Sequence, residues 1–289
     1  MIWQTTRYAI ALSRPQVMGI VNITPDSFSD GGRHASTRAA LAHCEQLLKD
    51  GADILDLGGE STRPGAVQVP LDEELARVLP VLREALKLGV PLSIDTYKPQ
   101  LMQACLDLGA DIVNDIWALR WQAAADPLDG RQVVARHPSC GVCLMHMHGE
   151  PRTMQISPME GDVLPSVQVF LQQAAQELNA LGVARERIVL DPGIGFGKTV
   201  AQNFSLLARQ GELLAAGYPL LAGWSRKSSL GAVAGLPPGS TVPVGQHERM
   251  VPSVAAALLA VERGAAIVRV HDVRETVQAL KVLAAIGQR

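Results

Sequence analysis

The sequence predicts an α/β protein, a single-domain (β/α)8 barrel, and three observations support that prediction. Eight short apolar segments alternate with eight segments of helical character along the 289 residues. Segments this apolar are typical of parallel strands that are buried on both faces. The phrases GADILDL, GADIVND and GAAIVRV recur where a helix leads into a strand, which is a quasi-repeat of one βα unit. An open doubly wound sheet is the alternative, but the number and even spacing of the units favour the closed barrel.

The strands are predicted from short runs of branched apolar residues, most of which end in a polar side chain. The first run ends at Asn22, the third at Asp95, and the sixth at Asp191. The predicted strands cover residues 17–21, 54–57, 92–94, 112–113, 142–145, 188–190, 220–222 and 267–270.

The helices are predicted from apolar stripes and from the residues that begin and end them. The first helix carries Leu41, Cys44 and Leu47 on one face, and Pro99 suits the first turn of the third helix. The predicted helices cover residues 36–49, 72–88, 99–108, 117–138, 163–181, 201–216, 250–263 and 274–285. The segment 117–138 is predicted as a helix with an irregular connection. All but the fourth and the last are closed by a glycine: Gly51, Gly89, Gly109, Gly182, Gly217 and Gly264.

The composition indicates one large globular domain over residues 1–289, with residues 1–16 as an N-terminal lead-in. With 47% hydrophobic residues and a net charge of −2, the chain has no feature that predicts a nucleic-acid or membrane partner. Its longest apolar run, residues 254–261, is too short to cross a bilayer. Arg7 and Arg14 argue against a signal peptide. We therefore expect a cytoplasmic protein whose four cysteines are reduced thiols.

In a (β/α)8 barrel the residues that end or follow the strands meet at one face, whatever their distance in sequence. Carboxylates and an amide in this set can accept hydrogen bonds from an amino-substituted heterocycle, and the cations can hold a diphosphate. The pattern therefore predicts a substrate with a heterocyclic head and a phosphorylated leaving group. A rim of surface ion pairs is the alternative. The residues are Asn22, Thr62, Arg63, Asp95, Asn114, Asp191, Ser225, Lys227, Arg269 and His271.

Two motif-like stretches are weak matches to other kinds of site. The glycines of DPGIGFGKT do not fit a nucleotide-binding loop, so this stretch is predicted to shape a pocket mouth, with Phe196 as a stacking face. Cys140 and Cys143 have no second pair at zinc-site spacing. Hydrolase motifs are absent from the sequence.

The chain closely resembles the dihydropteroate synthase family of folate biosynthesis. The resemblance extends from about residue 17 to residue 277 and is carried by MGIVNITPDSFSDGG, DLGGESTRPGA, LSIDTYKP, GADIVNDI, LMHMHGEPRTMQ, VLDPGIGFGKT, GWSRKSSLG and GAAIVRVHDVRET. It implies a TIM barrel that condenses 4-aminobenzoate with 6-hydroxymethyl-7,8-dihydropterin diphosphate, using Mg²⁺. A homodimer and sensitivity to sulfonamides are also implied.

The resemblance assigns roles residue by residue. The pterin would meet Asp95, Asn114, Ile116, Met145, Asp191, Phe196, Lys227 and Arg269. The diphosphate would meet Thr62, Arg63, Arg269 and His271, with Asn22 on its Mg²⁺. The 4-aminobenzoate would lie among Phe28, Thr62, Arg63, Pro64, Phe196, Ser225 and Lys227. Asp95, Lys227, Arg63, Arg269 and His271 are the implied catalytic residues, beneath loops 17–32 and 58–66 that close over them.

Two other functions stay open at this point. A methyltransferase on the same barrel would use the pterin carboxylates without the diphosphate-binding Arg63, Arg269 and His271. A non-catalytic paralogue would bind pterins without turning them over. Release of diphosphate that requires both substrates distinguishes the three possibilities.

Overall fold

A computed structural model of the chain describes residues 1–23, 32–62, 65–123, 127–235 and 248–287, and side chains in the second range from residue 37 onward. The strands are β1 (Ile2–Gln4), β2 (Ala9–Ala11), β3 (Gln16–Asn22), β4 (Ile54–Gly58), β5 (Leu92–Asp95), β6 (Ile112–Asp115), β7 (Gly141–Met145), β8 (Ile188–Asp191), β9 (Leu220–Ala222) and β10 (Ala265–Val270). The helices are α1 (Gly32–Asp50), α2 (Leu71–Ala85), α3 (Pro99–Leu108), α4 (Gly130–Arg136), α5 (Leu164–Ala180), α6 (Val200–Ala208), α7 (Ser228–Val233), α8 (Met250–Glu262) and α9 (Val273–Ile286).

Strands β3 to β10 form a closed parallel barrel in which each strand pairs with its neighbours in sequence and β10 pairs with β3. The apolar side chains that face outward from the barrel pack against the surrounding helices in the main hydrophobic core. Cys44 lies in this core, as its place on the apolar face of the first helix predicts, and so does Cys105; all four cysteines are free and buried. The predicted (β/α)8 barrel is confirmed, and its eight strands lie close to their predicted bounds.

The N-terminal lead-in is more structured than the sequence indicates. β1 and β2 form an antiparallel hairpin, and Trp3 on β1 is fully buried among apolar side chains such as Met18 and Ile267 from the barrel strands. The indole N–H of Trp3 donates to the carbonyl oxygen of Arg187 at 3.0 Å. The hairpin therefore closes the end of the barrel opposite the carboxyl ends of the strands.

The prediction of a helix over residues 117–138 is wrong for most of that segment. Among its described residues, 117–123 and 127–138, only Gly130–Arg136 are helical, and the chain first turns sharply at Ala118 and Leu119, whose φ angles are +52° and +62°. The Asp115 carboxylate accepts the backbone N–H groups of Trp117 and Leu119, which stabilises this turn in place of a helix. The predicted helix over residues 201–216 is likewise divided, with a 3₁₀ helix over Gln210–Ala216.

Candidate active site

Four residues at the carboxyl ends of the strands lie side by side because the strands pair in register. Asn22 pairs with Gly58, Gly58 with Asp95, and Asp95 with Asn114. In a parallel barrel this edge is where loops of different strands meet. The prediction that these distant strand ends share one face of the barrel is confirmed.

Arg269 lies on β10, which closes the barrel by pairing with β3. Its guanidinium bonds to two carboxylates, one on β4 and one on β5. Its Nε donates to Asp56 Oδ2 at 2.6 Å, and its Nη2 donates to Asp95 Oδ2 at 2.6 Å. The amide nitrogen of Asn114 donates to the same oxygen of Asp56 at 3.2 Å. These four side chains form one continuous set of polar contacts, which we call the Arg269 network.

Burial shapes the protonation of this network. It raises the pKa of Asp95 to about 7, with Arg269 acting in the opposite direction and Asp56 adding to the rise. Burial alone would lower the pKa of Arg269. The nearby carboxylates of Asp56 and Asp95 have the larger combined effect and raise this pKa above its usual value. Arg269 is therefore a permanent cation, whereas Asp95 keeps its proton to a higher pH than an exposed aspartate does.

Asp191 supplies a further carboxylate from β8. Burial raises its pKa, while the backbone N–H of Gly193, which donates to Asp191 Oδ1 at 2.7 Å, and the charge of Lys227 lower it. Asp191 pairs in register with Met145 on β7. This carboxylate thus stands beside an apolar wall.

That wall is a buried apolar cluster at the rim. Ile116, Met145 and Phe196 belong to one cluster together with Tyr97 and neighbouring methionines. The Lys227 ammonium lies 4.2 Å from the centroid of the Phe196 ring, a cation–π distance. The three residues predicted to line a heterocycle slot are therefore neighbours in space.

The loop that carries Phe196 is fastened by a buried lysine. Lys198 Nζ donates to the carbonyl oxygens of Gly193 and Phe196 at 2.9 and 3.2 Å, and it lies 2.9 Å from His146 Nδ1. Burial lowers the pKa of Lys198 to about 7. Gly193 has a φ of +69°, and a Cβ there would overlap the His146 carbonyl oxygen. The glycines of DPGIGFGKT thus allow close packing of two loops.

A second buried lysine fastens the loop after β4, which carries Thr62. Lys98 Nζ donates to Glu60 Oε2 at 2.6 Å, to Glu74 Oε2 at 2.5 Å and to the Val69 carbonyl oxygen at 2.6 Å. We call these groups the Lys98 cluster. Since Glu60 precedes and Val69 follows the central part of the loop, the ammonium holds the two ends of the loop together.

Two further predicted site residues, Ser225 and His271, contact each other. Ser225 Oγ lies 2.9 Å from His271 Nδ1 and accepts the His271 backbone N–H at 3.1 Å. Beside them, Arg226 forms an ion pair with Asp272 at 2.7 Å. Three predicted site residues, Phe28, Arg63 and Pro64, lie outside the described residues.

The sequence reasoning missed Asp56. It lies within the strand ILDLG, two residues before the strand ends at Gly58, and it is fully buried. A carboxylate inside an otherwise apolar strand is seldom buried without a charged partner, and this signal could have singled it out.

Comparison with known proteins agrees with this geometry. A family model described as pterin binding enzyme matches residues 18–271, from within β3 to just beyond β10, and this range includes all four residues of the Arg269 network. Dihydropteroate synthase of Neisseria meningitidis serogroup B is 50% identical over 291 residues, covering 99% of this chain and 98% of that protein. The chain belongs to the dihydropteroate synthase family of pterin-binding enzymes.

Solved structures of the family superpose closely on this chain. Burkholderia cenocepacia dihydropteroate synthase complexed with 7,8-dihydropteroate is 49% identical, with a TM-score of 0.84 and coverage of 99% of this chain and 96% of that one. Yersinia pestis dihydropteroate synthase with a sulfonamide drug complex is 42% identical, with a TM-score of 0.89 and full coverage of both chains. The family that the sequence motifs indicate is confirmed.

Proposed function

We propose that this protein condenses 4-aminobenzoate with (7,8-dihydropterin-6-yl)methyl diphosphate, giving 7,8-dihydropteroate and diphosphate for folate biosynthesis. One observation carries the proposal: the carboxylates of Asp95 and Asp56 converge on the Arg269 guanidinium at the rim of the barrel. A site with buried hydrogen-bond acceptors beside a fixed cation suits a ligand with N–H groups at one end and phosphates at the other.

In the proposed complex the pterin ring enters the slot beside Ile116, Met145 and Phe196. Asp95, Asn114 and Asp191 accept hydrogen bonds from the N–H groups of the ring, and these bonds keep the ring electron-rich. As the bond between the methylene and the diphosphate lengthens, positive charge develops on the methylene. The Arg269 guanidinium and His271 hold the departing diphosphate.

The second substrate needs little activation. The arylamine of 4-aminobenzoate is already a fair nucleophile, so the mechanism uses no strong general base. In our proposal the benzoate ring lies near Phe196 and Lys227, with its carboxylate beside Ser225. A sulfonamide has the same arylamine end and would compete for this place, as the Yersinia pestis complex suggests.

We also propose that Mg²⁺ accompanies the diphosphate. Within the described part of the chain, no three His, Cys, Asp or Glu side chains form a metal site of their own. Mg²⁺ commonly keeps water and substrate phosphates as ligands and takes only one or two protein oxygens. The Asn22 side-chain oxygen, at the end of β3, fits that role. When bound, the ion neutralises charge on the leaving group.

The decisive experiment measures diphosphate release from the purified protein. We expect release only when pterin diphosphate and 4-aminobenzoate are both present. A protein that binds pterin but releases no diphosphate would contradict the proposal and favour a non-catalytic paralogue. Methyl transfer from a methylated pterin, without diphosphate release, would favour a methyltransferase.

A homodimer and a cytoplasmic location complete the proposal. Among the described helices, none is long and apolar enough to cross a membrane. α7 and α8 pack together, and Val233 on α7 and Val251 and Leu259 on α8 are exposed. We propose that these apolar side chains contribute to the contact with a second copy. Light scattering on the purified protein is expected to give twice the mass of the chain, and replacing Val251 with Glu is expected to reduce it towards the monomer value.

A further inference from the structure

We propose that Asp56 is a positioning residue of the pterin subsite, which holds the Arg269 guanidinium and the Asn114 amide in the orientations that a ligand meets. This inference rests on the proposed function, because it concerns the preparation of the same site. Asp56 lies on β4, pairs in register with Ser93 on β5, and is fully buried. It is therefore placed beneath the ligand slot.

The geometry around Asp56 fixes the guanidinium of Arg269 at two points. Asp56 Oδ2 accepts from Nε at 2.6 Å, and Asp95 Oδ2 accepts from Nη2 at 2.6 Å. Because the guanidinium is a planar fork, two bonds to different nitrogens determine its plane. With Asp95 alone, the group could rotate about a single contact.

The same oxygen of Asp56 orients the amide of Asn114. An ionised carboxylate only accepts hydrogen bonds, so the group of Asn114 that lies 3.2 Å from Asp56 must be its amide nitrogen. The amide oxygen then lies on the other branch of the side chain, where it can accept from a ligand. Asp56 thereby determines whether Asn114 offers an acceptor or a donor to the pterin.

Removal of the Asp56 charge is expected to lower the pKa of Asp95. The charged groups that influence Asp95 are Arg269 and Lys227, which favour its ionised form, and Asp56 and Glu74, which oppose it. In an Asp56→Asn variant, Arg269 would pair with Asp95 alone. The pKa of Asp95 would therefore fall, and the pH below which pterin binding weakens would fall with it.

The test compares Asp56→Asn with Ser93→Ala. Ser93 is the register partner of Asp56, is equally buried, and its Oγ has no hydrogen-bond partner in the described part of the chain. The probe is 6-hydroxymethylpterin, which has no phosphate to titrate, and its affinity is measured by calorimetry between pH 5.5 and 8.5. For Asp56→Asn we expect affinity to fall at least about tenfold at pH 8 and the acid midpoint to move down by about one pH unit. For Ser93→Ala we expect affinity within about twofold and an unmoved midpoint.

A general disturbance of the pocket would weaken binding without lowering the midpoint, so an unmoved midpoint in Asp56→Asn would overturn the inference. Equal effects of both substitutions would overturn it as well. If Asp56→Asn does not fold, NMR of the unaltered protein decides. We then expect a slowly exchanging Arg269 Nε–H signal, identified by its loss in Arg269→Lys, and rapid exchange with water would contradict the inference. An unaltered protein that binds no pterin would instead contradict the proposed function.

Discussion

The Lys198 ammonium lies 2.9 Å from Nδ1 of His146 and so joins the loops that follow β7 and β8. Both side chains are buried, and Lys198 also donates hydrogen bonds to the carbonyl oxygens of Gly193 and Phe196. Lys198→Met would leave these oxygens without their donor. We expect the free energy of unfolding, measured in urea, to fall by about 1–3 kcal/mol. Lys281→Met, on the exposed face of α9, should change it by less than about 0.5 kcal/mol. Equal values for the two variants would contradict this account of the loop.

Asp95→Asn tests the chemistry of the Arg269 network. The substitution keeps the shape of the side chain but presents an amide N–H₂ where the ligand needs an acceptor, and it weakens the bond to Arg269. We expect steady-state turnover to fall about 10²- to 10³-fold, with an unchanged circular dichroism spectrum. Asp107→Asn, on the exposed surface of α3, is the control and should turn over normally. Near-normal turnover in Asp95→Asn would remove Asp95 from the mechanism.

Asp115 predicts a pH dependence of stability. Burial raises its pKa to about 7, although the N–H groups of Trp117 and Leu119 oppose the rise. In the unfolded chain the pKa of an aspartate is about 3.9. Between these values the folded protein holds a proton that the unfolded chain releases, so the ionisation of Asp115 reduces stability as the pH rises.

Asp115→Asn removes this titration. The unfolding free energy of the unaltered protein minus that of the variant should therefore decrease by on the order of 1 kcal/mol per pH unit between pH 4 and 7. Urea unfolding at pH 5, 6 and 7 measures this difference, and all other titrating groups are common to both proteins. A difference that stays constant with pH would show that Asp115 titrates normally.

The contacts of the Lys98 cluster predict that removing the Lys98 ammonium lowers the free energy of unfolding by a large amount. Lys98→Met would leave the buried carboxylates of Glu60 and Glu74 without their cation, at a cost of about 3–5 kcal/mol. Lys87→Met breaks an exposed ion pair with Glu84 and should cost less than about 1 kcal/mol. Adding Glu74→Gln to Lys98→Met should recover part of the loss. Chemical denaturation of the three variants provides the comparison, and similar costs for Lys98→Met and Lys87→Met would refute the prediction.

Trp3 predicts that the N-terminal hairpin is part of the folded unit. Trp3→Ala would open a cavity at the closed end of the barrel, and we expect it to cost about 3–5 kcal/mol. Ile2→Ala, on the exposed side of the same strand, is expected to be nearly neutral. A thermal-unfolding midpoint shared by the two variants would indicate that the hairpin contributes little.

The sequence was sufficient to predict the barrel strands, from their apolar pattern, and the polar residues at the strand ends. Asn22, Asp95 and Asn114 were predicted because the carboxyl ends of parallel strands meet at one edge. The strands β1 and β2 have three residues each, too few for an alternation pattern to emerge. The turn at Ala118 depends on backbone contacts to Asp115, which no propensity scale contains. Asp56 lies inside a strand, and its burial is explained by Arg269 and Asn114, which are distant from it in sequence.

The pairing of β10 with β3 affects how the protein matures during synthesis. The acids Asp56 and Asp95 leave the ribosome early, whereas Arg269, whose guanidinium pairs with both of them, is made near the end. Until β10 emerges, β3 and β9 have open edges and the two acids lack the charge that permits their burial. Closure of the barrel and formation of the Arg269 network therefore both require β10, and a nascent chain that lacks β10 has neither.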